Sequence, residues 1–336
     1  MASQDYRQCH GDCTWSCGHR FGCPQKRRQR QTNRSRRFAP ISLAGLTLAL
    51  SSTWSFTTLE RWDRGRSVAL ASSAPGKSAL GGPIDVVPLL QSLAKDGSVN
   101  LIQIGACDGD FEAGDASSND PVQSFVAREP KVMAVLVEAS PPTCAALASK
   151  VVKMNAGNRI TTVNAAVASS SARAVPFYIV SDRFKQDYPR QAFHWAMCQL
   201  NSMDKEHVLK HHDFLGLSRE QFLDYIEEIM VCCKTPAILL EEAHMMPKEV
   251  DVLAIDAEGL DEQILKSFLK LPGFDPLMIF CEVTHMDSSD VCQLHSKLEA
   301  RGYELGHVQT EMAADGRGDL VAWKRHLSTK RLMQLL

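Results

Sequence analysis

Three apolar runs of strand length, each breaking abruptly into glycine or acidic residues, constrain the fold of this chain more than any other feature. They occupy residues 99–109 (VNLIQIGACDG), residues 132–138 (VMAVLVE) and residues 252–259 (VLAIDAEG). In an open α/β sheet, ligands bind in a crevice outside the carboxyl ends of the strands. The pattern therefore predicts a ligand site where these three strands end.

Patterns typical of strands and helices alternate along most of the chain from residue 83 onward, which predicts a parallel sheet covered by helices on both faces. The last two strands, 303–308 and 320–323, are joined by a short loop without a helix and should form an antiparallel pair at one edge. We therefore predict a doubly wound, mostly parallel α/β sheet with the strand 99–104 at its centre. The other predicted strands and helices are strands 132–137, 159–164, 250–255 and 277–283 and helices 84–95, 121 onward, 141–154, 260–269 and 288–301.

Residues 181–246 interrupt this regular alternation. Before them, alternating residues in VPFYIV predict a hairpin-like strand at 174–180. Within them, Ser218 and Gln221 have the spacing of a helix capping box, and an apolar IMVCC precedes a helix-like PAILLEEA. Several histidines cluster here: His194, His207, His211 and His212, with Trp195 beside the first. One interpretation is that they line a lid or an acceptor wall. The simpler interpretation is that most of them occupy surface or core positions.

The residues after the first predicted strand, from Gly105 to Gly109, give G-x-x-x-G. The dinucleotide fingerprint G-x-G-x-x-G is not met, so no pyrophosphate cradle is expected. Glu138, at the end of the next strand, can accept hydrogen bonds from both hydroxyls of a ribose. Taken alone, the glycine motif has the simpler interpretation of a plain turn, and Glu138 that of a solvated carboxylate. A ribose without a pyrophosphate indicates S-adenosylmethionine and disfavours a nicotinamide-dependent oxidoreductase.

Carboxylates also follow the later strands. Asp256 and Glu258, two residues apart, can steer a cationic sulfonium, deprotonate a hydroxyl or bind a divalent ion; helix capping is the structural alternative. After the next predicted strand, the segment CEVTH also carries polar groups of this kind, the carboxylate of Glu282 and the imidazole of His285. Asp256 and His285 are both candidates for a general base, with Glu258 beside the acceptor.

Several segments together resemble the FkbM-type methyltransferases: QIGACDG, LVEASP, QLNSMDKEHVLKH, VDVLAIDAEGLDEQIL, MIFCEVTH and the terminal RGYEL and GDLVAW. The resemblance covers residues 99–324. It implies a class I methyltransferase (Rossmann-like) fold and S-adenosylmethionine-dependent O-methylation of a sugar, glycolipid or secondary metabolite. It also implies that Gly105, Asp108 and Gly109 line the methionine end, Glu138 the ribose, and Asp256 and Glu258 the reaction centre. The chain departs from the family in having Cys107 where asparagine is usual, and a longer loop at 111–118.

The candidate residues fall into three groups, and no metal ligand is expected among them. The candidate catalytic residues are Asp256, Glu258 and His285. The candidate cofactor-binding residues are Gln103, Gly105, Ala106, Asp108, Gly109, Glu138, Asn164 and Asp256. The candidate substrate-side residues are His194, Trp195, Ser202 and Glu282. A non-catalytic module on the same fold, binding the same cofactor, is the alternative from another functional class.

The charge is unevenly distributed, which limits the partners. The first 37 residues hold nine Lys or Arg against Asp5 and Asp12, whereas the whole chain has a net charge of −2. The rest is therefore acidic and unsuited to nucleic acid, which needs clustered basic residues. We expect a small-molecule or glycan acceptor and no nucleic-acid partner. The basic arm alone could contact RNA or anionic lipid, but a sorting signal is the simpler interpretation.

The cysteines do not suggest a disulfide framework or a zinc site. Those of the arm are separated by three, three and five residues without the longer loop that zinc knuckles usually enclose; they are Cys9, Cys13, Cys17 and Cys23. The remaining seven lie mostly in predicted strands and helices, where a thiol acts as a small hydrophobic group.

The chain is expected to divide into a basic, disordered arm (1–37), an apolar segment (38–56), a linker or transit-like segment (57–82), the methyltransferase domain (83–325) and a short tail (326–336). The uncharged segment 38–56 follows Arg36 and Arg37 and is just long enough to span a bilayer. A signal sequence, a signal anchor and an organelle presequence all remain open. We expect membrane or secretory entry with the catalytic domain in a lumen, the alternative being a plastid after presequence cleavage.

Overall fold

The computed structural model describes residues 86–95, 97–111, 120–308 and 318–327. They form a seven-stranded main sheet and a separate three-stranded sheet. The strands in chain order are β1 Val99–Ile104, β2 Val132–Glu138, β3 Ile160–Asn164, β4 Ala166–Val167, β5 Ala172–Val180, β6 Ile226–Lys234, β7 Val252–Ile255, β8 Met278–Cys281, β9 Tyr303–Val308 and β10 Asp319–Lys324.

The helices begin and end where the sequence gives clear signals. Asp120 caps the second helix by accepting the backbone N–H groups of Val122 and Gln123, and Pro121 occupies the first position. The predicted capping box of Ser218 and Gln221 is present. The α-helices are α1 Val87–Lys95, α2 Pro121–Arg128, α3 Pro141–Lys153, α4 Asp182–Asp187, α5 His194–Cys198, α6 Lys205–Leu209, α7 Arg219–Leu223, α8 Pro236–Glu242, α9 Asp261–Phe268 and α10 Ser288–Ala300.

The main sheet has the order β3-β2-β1-β7-β8-β10-β9. The pairs from β3 to β8 are all parallel, and β10 runs antiparallel to both β8 and β9. This confirms the predicted mostly parallel sheet with β1 at its centre and an antiparallel pair at one edge. The strands ending at Glu138 and next to Asp256 flank β1, as predicted.

Both faces of the main sheet are covered, which explains why its strands are apolar on both sides. One core packs the β1 side chain Leu101 and its neighbours against α1, α2 and α3. The other packs Ile102 and Ile104 against α8, α9 and α10 through residues such as Phe268 and Leu294. The sheet between the two cores is thereby a rigid support for the residues that follow its strand ends.

The second sheet, in the order β4-β6-β5, was only partly predicted. The strand at 174–180 is present within β5, but it does not pair with a neighbour across a tight turn. Its antiparallel partner is β6, which contains IMVCC, and β6 also pairs in parallel with β4. The short helices α4 to α7 fill the interval between β5 and β6 and enclose a small core of their own around Phe184 and Phe222.

Among the residues that the structure describes, no helix is long and apolar enough to cross a membrane. The predicted basic arm, the apolar segment 38–56 and the linker 57–82 lie outside the described residues. Their roles therefore stay predictions.

Candidate functional site

The strand register aligns four polar or glycine positions in one row. Ile104 pairs with Val137 on one side and with Ile255 on the other, and Ile255 pairs with Cys281. The residues that follow these strand ends are Gly105, Glu138 (the last of β2), Asp256 and Glu282. The register thus places the predicted strand ends side by side, and ligand binding at them stays a prediction.

Gly105 is required by close backbone contact. Its φ is +78°, and a Cβ built there would lie 1.6 Å from the carbonyl oxygen of Asp256. Its N–H donates to Val137 O at 2.9 Å. The turn after β1 therefore packs directly against the end of β7, and only glycine permits both the conformation and the approach.

Glu138 is buried and holds the turn in place. Its carboxylate accepts the N–H of Cys107 at 3.0 Å and the N–H of Ser140 at 2.8 Å. Burial raises the pKa of Glu138 to about 7, although these backbone hydrogen bonds oppose the shift. Each carboxylate oxygen has a second lone pair, so the side chain retains acceptor capacity for the predicted ribose.

Three other predicted cofactor-binding residues have structural partners. Gln103 is buried and donates to Asp120 Oδ2 at 2.7 Å, while its Oε1 has no hydrogen-bond partner among the described residues. Ala106 is fully buried, and its N–H donates to Val137 O. Asn164 donates to the carbonyl of Glu138 at 2.9 Å. These contacts shape the crevice wall, and direct contact of the three side chains with a cofactor stays a prediction.

Carboxylates crowd the ends of β7 and β8. Oxygen atoms of Asp256, Asp261 and Glu282 lie within 4.8 Å of one another. Asp261 is held by the N–H groups of Ala257 and Gly259, whereas Glu282 Oε2 has no hydrogen-bond partner among the described residues. Asp256 is solvent-accessible. Desolvation by the surrounding protein and, next in size, the charge of Glu258 nevertheless raise the pKa of Asp256 well above the usual range.

Glu258 leads a second group, which we call the histidine wall: His207, Lys210, His211, Glu258 and His285. His207 Nε2 lies 2.8 Å from Glu258 Oε2, and His285 Nε2 lies 3.6 Å from the same oxygen. Lys210 Nζ donates to Nδ1 of His207 at 3.1 Å and to Nδ1 of His285 at 2.9 Å. Burial and the Lys210 charge lower the pKa of His285 to about 3, so its ring is neutral near pH 7. The sequence pattern placed His207 and His211 in this region without showing that both are buried against Glu258.

The predicted substrate-side residues do not all meet. Ser202 is fully buried and donates to the carbonyl of Glu258 at 2.8 Å, and Glu282 lies 3.4 Å from His285 Nε2. Trp195 stacks on Phe193 with ring centroids 6.0 Å apart. His194 instead contacts the turn after β1. A substrate role for these residues stays a prediction.

Asp108 in that turn has two cationic partners. Its Oδ2 accepts Lys150 Nζ at 2.9 Å, and its Oδ1 lies 3.0 Å from His194 Nε2. Burial acts to raise its pKa, but the His194 and Lys150 hydrogen bonds outweigh this effect and lower the pKa to about 2. Lys150 and Cys198, which complete this arrangement, were not predicted, because they lie far from Asp108 in sequence and on different elements.

Comparison with known protein families identifies the family of this chain. Residues 103–305 match the family model described as the methyltransferase FkbM domain. No curated protein matches the chain. Similar solved structures include an O-methyltransferase from Bacillus cereus in complex with SAH, with 12% identity, a TM-score of 0.35 and coverage of 76% of this chain and 84% of that one. A precorrin-6y C5,15-methyltransferase from Geobacter metallireducens GS-15 has 14% identity, a TM-score of 0.32 and coverage of 71% and 87%. Scores this low carry no argument about this chain.

The crevice suits the methyl donor of that family by its own chemistry. The buried Glu138 carboxylate retains acceptor capacity at one strand end, and the turn at Gly105 leaves no room for a side chain. Carboxylates at the next strand ends favour a cationic group. The nicotinamide alternative is excluded by the family match. The chain therefore belongs to the FkbM methyltransferase family, with a class I methyltransferase-like fold and S-adenosylmethionine as its methyl donor.

Proposed function

We propose that this enzyme methylates a hydroxyl oxygen of a small molecule, such as a sugar, a glycolipid or a secondary metabolite. The observation that carries the proposal is the contact between Gly105 and the Asp256 carbonyl. Because of it, the turn that would hold the donor lies against the backbone of Asp256, whose carboxylate lies close to those of Asp261 and Glu282. A proton acceptor is thereby adjacent to the donor crevice, as methylation of an unactivated hydroxyl requires.

S-adenosylmethionine, when bound, supplies a methyl group already activated by its sulfonium charge. The protein contributes mainly by holding the acceptor oxygen close and aligned, an effect that is worth about 7–11 kcal/mol in well-oriented systems. In this chain, Glu138 would hold the ribose, and the turn from Gly105 to Gly109 the methionine end. The anionic strand ends attract the cationic centre.

Asp256 is better suited than His285 to remove the hydroxyl proton. Both ring nitrogens of His285 face polar partners, Lys210 at Nδ1 and the carboxylates of Glu258 and Glu282 at Nε2, and its low pKa makes it a weak base. The Asp256 side chain reaches solvent, yet desolvation by the protein around it and then the charge of Glu258 raise its pKa, which makes it a stronger base than an ordinary aspartate.

The histidine wall supplies the acceptor side. The Lys210 contacts at Nδ1 favour the tautomer in which His207 Nε2–H donates to Glu258. Ser202 fixes the Glu258 backbone from the other side. Glu258 is thereby positioned to accept a hydrogen bond from an acceptor hydroxyl, which suits a polyhydroxylated molecule.

The test is a screen of the full-length protein with S-adenosylmethionine against sugars, glycolipids and polyketide alcohols, with products detected by mass spectrometry as a gain of CH2. We expect a product on one of these hydroxyl classes. On that substrate, Asp256→Asn should lower kcat by about 100-fold or more, since general base catalysis contributes roughly 10²–10⁴-fold. The exposed Asp182, which pairs with Lys185 on the surface, provides the matched control Asp182→Asn, and this change should leave kcat unchanged.

Full turnover in Asp256→Asn would move the base to His285. Methylation of nitrogen or carbon acceptors alone would contradict the proposed O-methylation. Cofactor binding without any product across the screen would instead favour a non-catalytic binding module.

A further inference from the structure

Four side chains with metal-ligand atoms meet beside the turn after β1. Cys107 and Asp108 come from the turn itself, and His194 and Cys198 come from α5. We call them the turn–α5 cluster. Their ligand atoms all lie within 4.8 Å of one another. His194 and Cys198 are four residues apart on one helix and therefore share a face.

The separations fit the edges of a tetrahedron around one ion. Zinc–sulfur bonds of about 2.3 Å and zinc–nitrogen or zinc–oxygen bonds of about 2.0–2.2 Å give ligand-to-ligand distances of roughly 3.3–3.8 Å. Here His194 Nε2 lies 3.3 Å from Cys198 Sγ, within this range, and 3.0 Å from Asp108 Oδ1, slightly below it. Cys107 Sγ lies 3.8 Å from Asp108 Oδ1. No large movement is needed to surround a metal ion.

The charges of the cluster also suit a cation. The hydrogen bonds of His194 with Asp108 and then with Cys198 raise the pKa of His194 to about 10. The Cys107 hydrogen bond, assisted by His194, lowers the pKa of Cys198 to about 6. The surroundings of Asp108 and Cys198 thus favour the anionic form of both side chains.

Cys107 occupies an unusual backbone position for its residue type. Its φ is +47°, in the left-handed region that few residues other than glycine adopt and that favours asparagine and aspartate among the rest. Cysteine is not among the residues that favour this conformation, so the backbone geometry does not explain its presence here. The position instead brings its thiol within 4.8 Å of the ligand atoms of Asp108, His194 and Cys198.

We propose that the turn–α5 cluster binds one zinc ion through Cys107, Asp108, His194 and Cys198. Two thiolates and an imidazole favour zinc over magnesium or calcium, which prefer oxygen ligands. Binding would replace the Cys107 and His194 protons, so one Zn²⁺ enters as two protons leave and the net charge is unchanged. Lys150 already holds Asp108 Oδ2 at 2.9 Å, leaving Oδ1 for the ion. The ion would join α5 to the cofactor turn, which differs from the sequence-based expectation of no metal.

The histidine wall is a less suitable metal site, although its ligand atoms also lie within 4.8 Å of one another. Lys210 donates to Nδ1 of both His207 and His285. This contact places the ring protons on Nε2, the atoms that face Glu258. A metal at those nitrogens would have to displace these protons next to a lysine ammonium.

The test uses the full chain carrying Cys9→Ser, Cys13→Ser, Cys17→Ser and Cys23→Ser, which removes the arm thiols. The protein is stripped of metal with a chelator under reducing conditions and titrated with Co²⁺ and then Zn²⁺. We expect one Co²⁺ per chain with a thiolate-to-cobalt charge-transfer band, and displacement of that ion by Zn²⁺. Cys107→Ser and Cys198→Ser should each weaken Zn²⁺ binding by about 100-fold or more, since each removes a thiolate ligand.

The exposed thiols Cys232 and Cys292 provide the controls Cys232→Ser and Cys292→Ser, which should bind like the parent. Because thiols and an imidazolium lose protons when they bind the ion, Zn²⁺ affinity should rise with pH. Circular dichroism of each variant separates loss of a ligand from loss of the fold, and a Cys107→Ser chain that does not fold leaves the parent's charge-transfer band and pH slope as the test.

Cobalt bound without a thiolate band would assign the ion to the histidine wall and overturn the proposal. A band unchanged in folded Cys107→Ser would also overturn it. So would a fully reduced parent protein that binds no metal but forms a Cys107–Cys198 disulfide in air, which would make the cluster a redox pair.

Discussion

At the scale of single residues, the candidate site depends on positions where the backbone conformation or the buried hydrogen bonds constrain the type of residue. Gly105 has both a positive φ and a carbonyl oxygen where a Cβ would stand. Glu138 occupies a buried strand end and accepts two backbone N–H groups. The sequence identified both residues, because glycine and an acidic residue directly after apolar runs are visible without a structure.

Replacing Gly105 with alanine should lower the free energy of unfolding by about 2–5 kcal/mol, from left-handed strain together with overpacking. Gly216 is the matched control, since its φ is +67° and nothing lies within 4 Å of a Cβ built there. Gly216→Ala should therefore lose only the conformational part, about 1–2 kcal/mol. Urea denaturation measures both, and equal losses in the two variants would show that the contact with Asp256 does not exist.

The raised pKa of Glu138, about 7, predicts a pH dependence of cofactor binding. An ionised carboxylate accepts ribose hydroxyls more strongly than a protonated one. Below its pKa the free protein must release that proton before binding, so affinity for S-adenosylhomocysteine should be about tenfold lower at pH 6 than at pH 8. Calorimetry at the two pH values measures the difference. An affinity that rises on acidification would reverse the sign and contradict the role of Glu138.

At the scale of helices and strands, the sequence pattern predicted those features that depend on neighbouring residues, such as strand bounds and helix caps. The strand β1 has the predicted bounds, and Asp120 and Ser218 cap the predicted helices. Each of these depends on residues close together in sequence. The pairing of β5 with β6 was missed, because the two strands are separated by four short helices and their register is set by tertiary contact. The contact of Cys198 with Cys107 was missed for the same reason.

The start of α2 links the helix to the central strand through Asp120. This side chain accepts two backbone N–H groups of the helix and the buried amide of Gln103. Asp120→Ala should lower the free energy of unfolding by about 2–4 kcal/mol, from the lost cap and an unpaired buried amide. Asp204→Ala is the control, because Asp204 is an exposed cap with a single backbone bond, and it should cost less than about 1 kcal/mol. Thermal unfolding of both variants distinguishes the buried role of Asp120 from ordinary capping.

At the scale of the whole molecule, the location of the enzyme depends on segments outside the described residues. We predict that the segment 38–56 stays on the chain and anchors it, with the basic arm kept in the cytoplasm by its positive charge. The protein should then remain in the membrane fraction at full length after carbonate washing. A soluble product beginning between residues 56 and 82 would instead indicate a cleaved presequence. Full-length protein in the soluble cytosol would contradict both locations.

In the main sheet, β1, β2, β7 and β8 end side by side at one edge. Family membership identifies the methyl donor, and the register shows which residues stand at the edge of the sheet. The account therefore makes a single central claim, that the donor binds at these strand ends with its ribose on Glu138.

Calorimetric titration of the full chain with S-adenosylhomocysteine tests that claim most directly, with Glu138→Ala compared with the exposed control Glu241→Ala. The account predicts that Glu138→Ala weakens binding by about 1–3 kcal/mol, or roughly 5- to 150-fold, because a charged hydrogen-bond acceptor is lost. Glu241→Ala should bind like the parent, and NAD should not bind to any of the three proteins. Unchanged affinity in folded Glu138→Ala would contradict the claim.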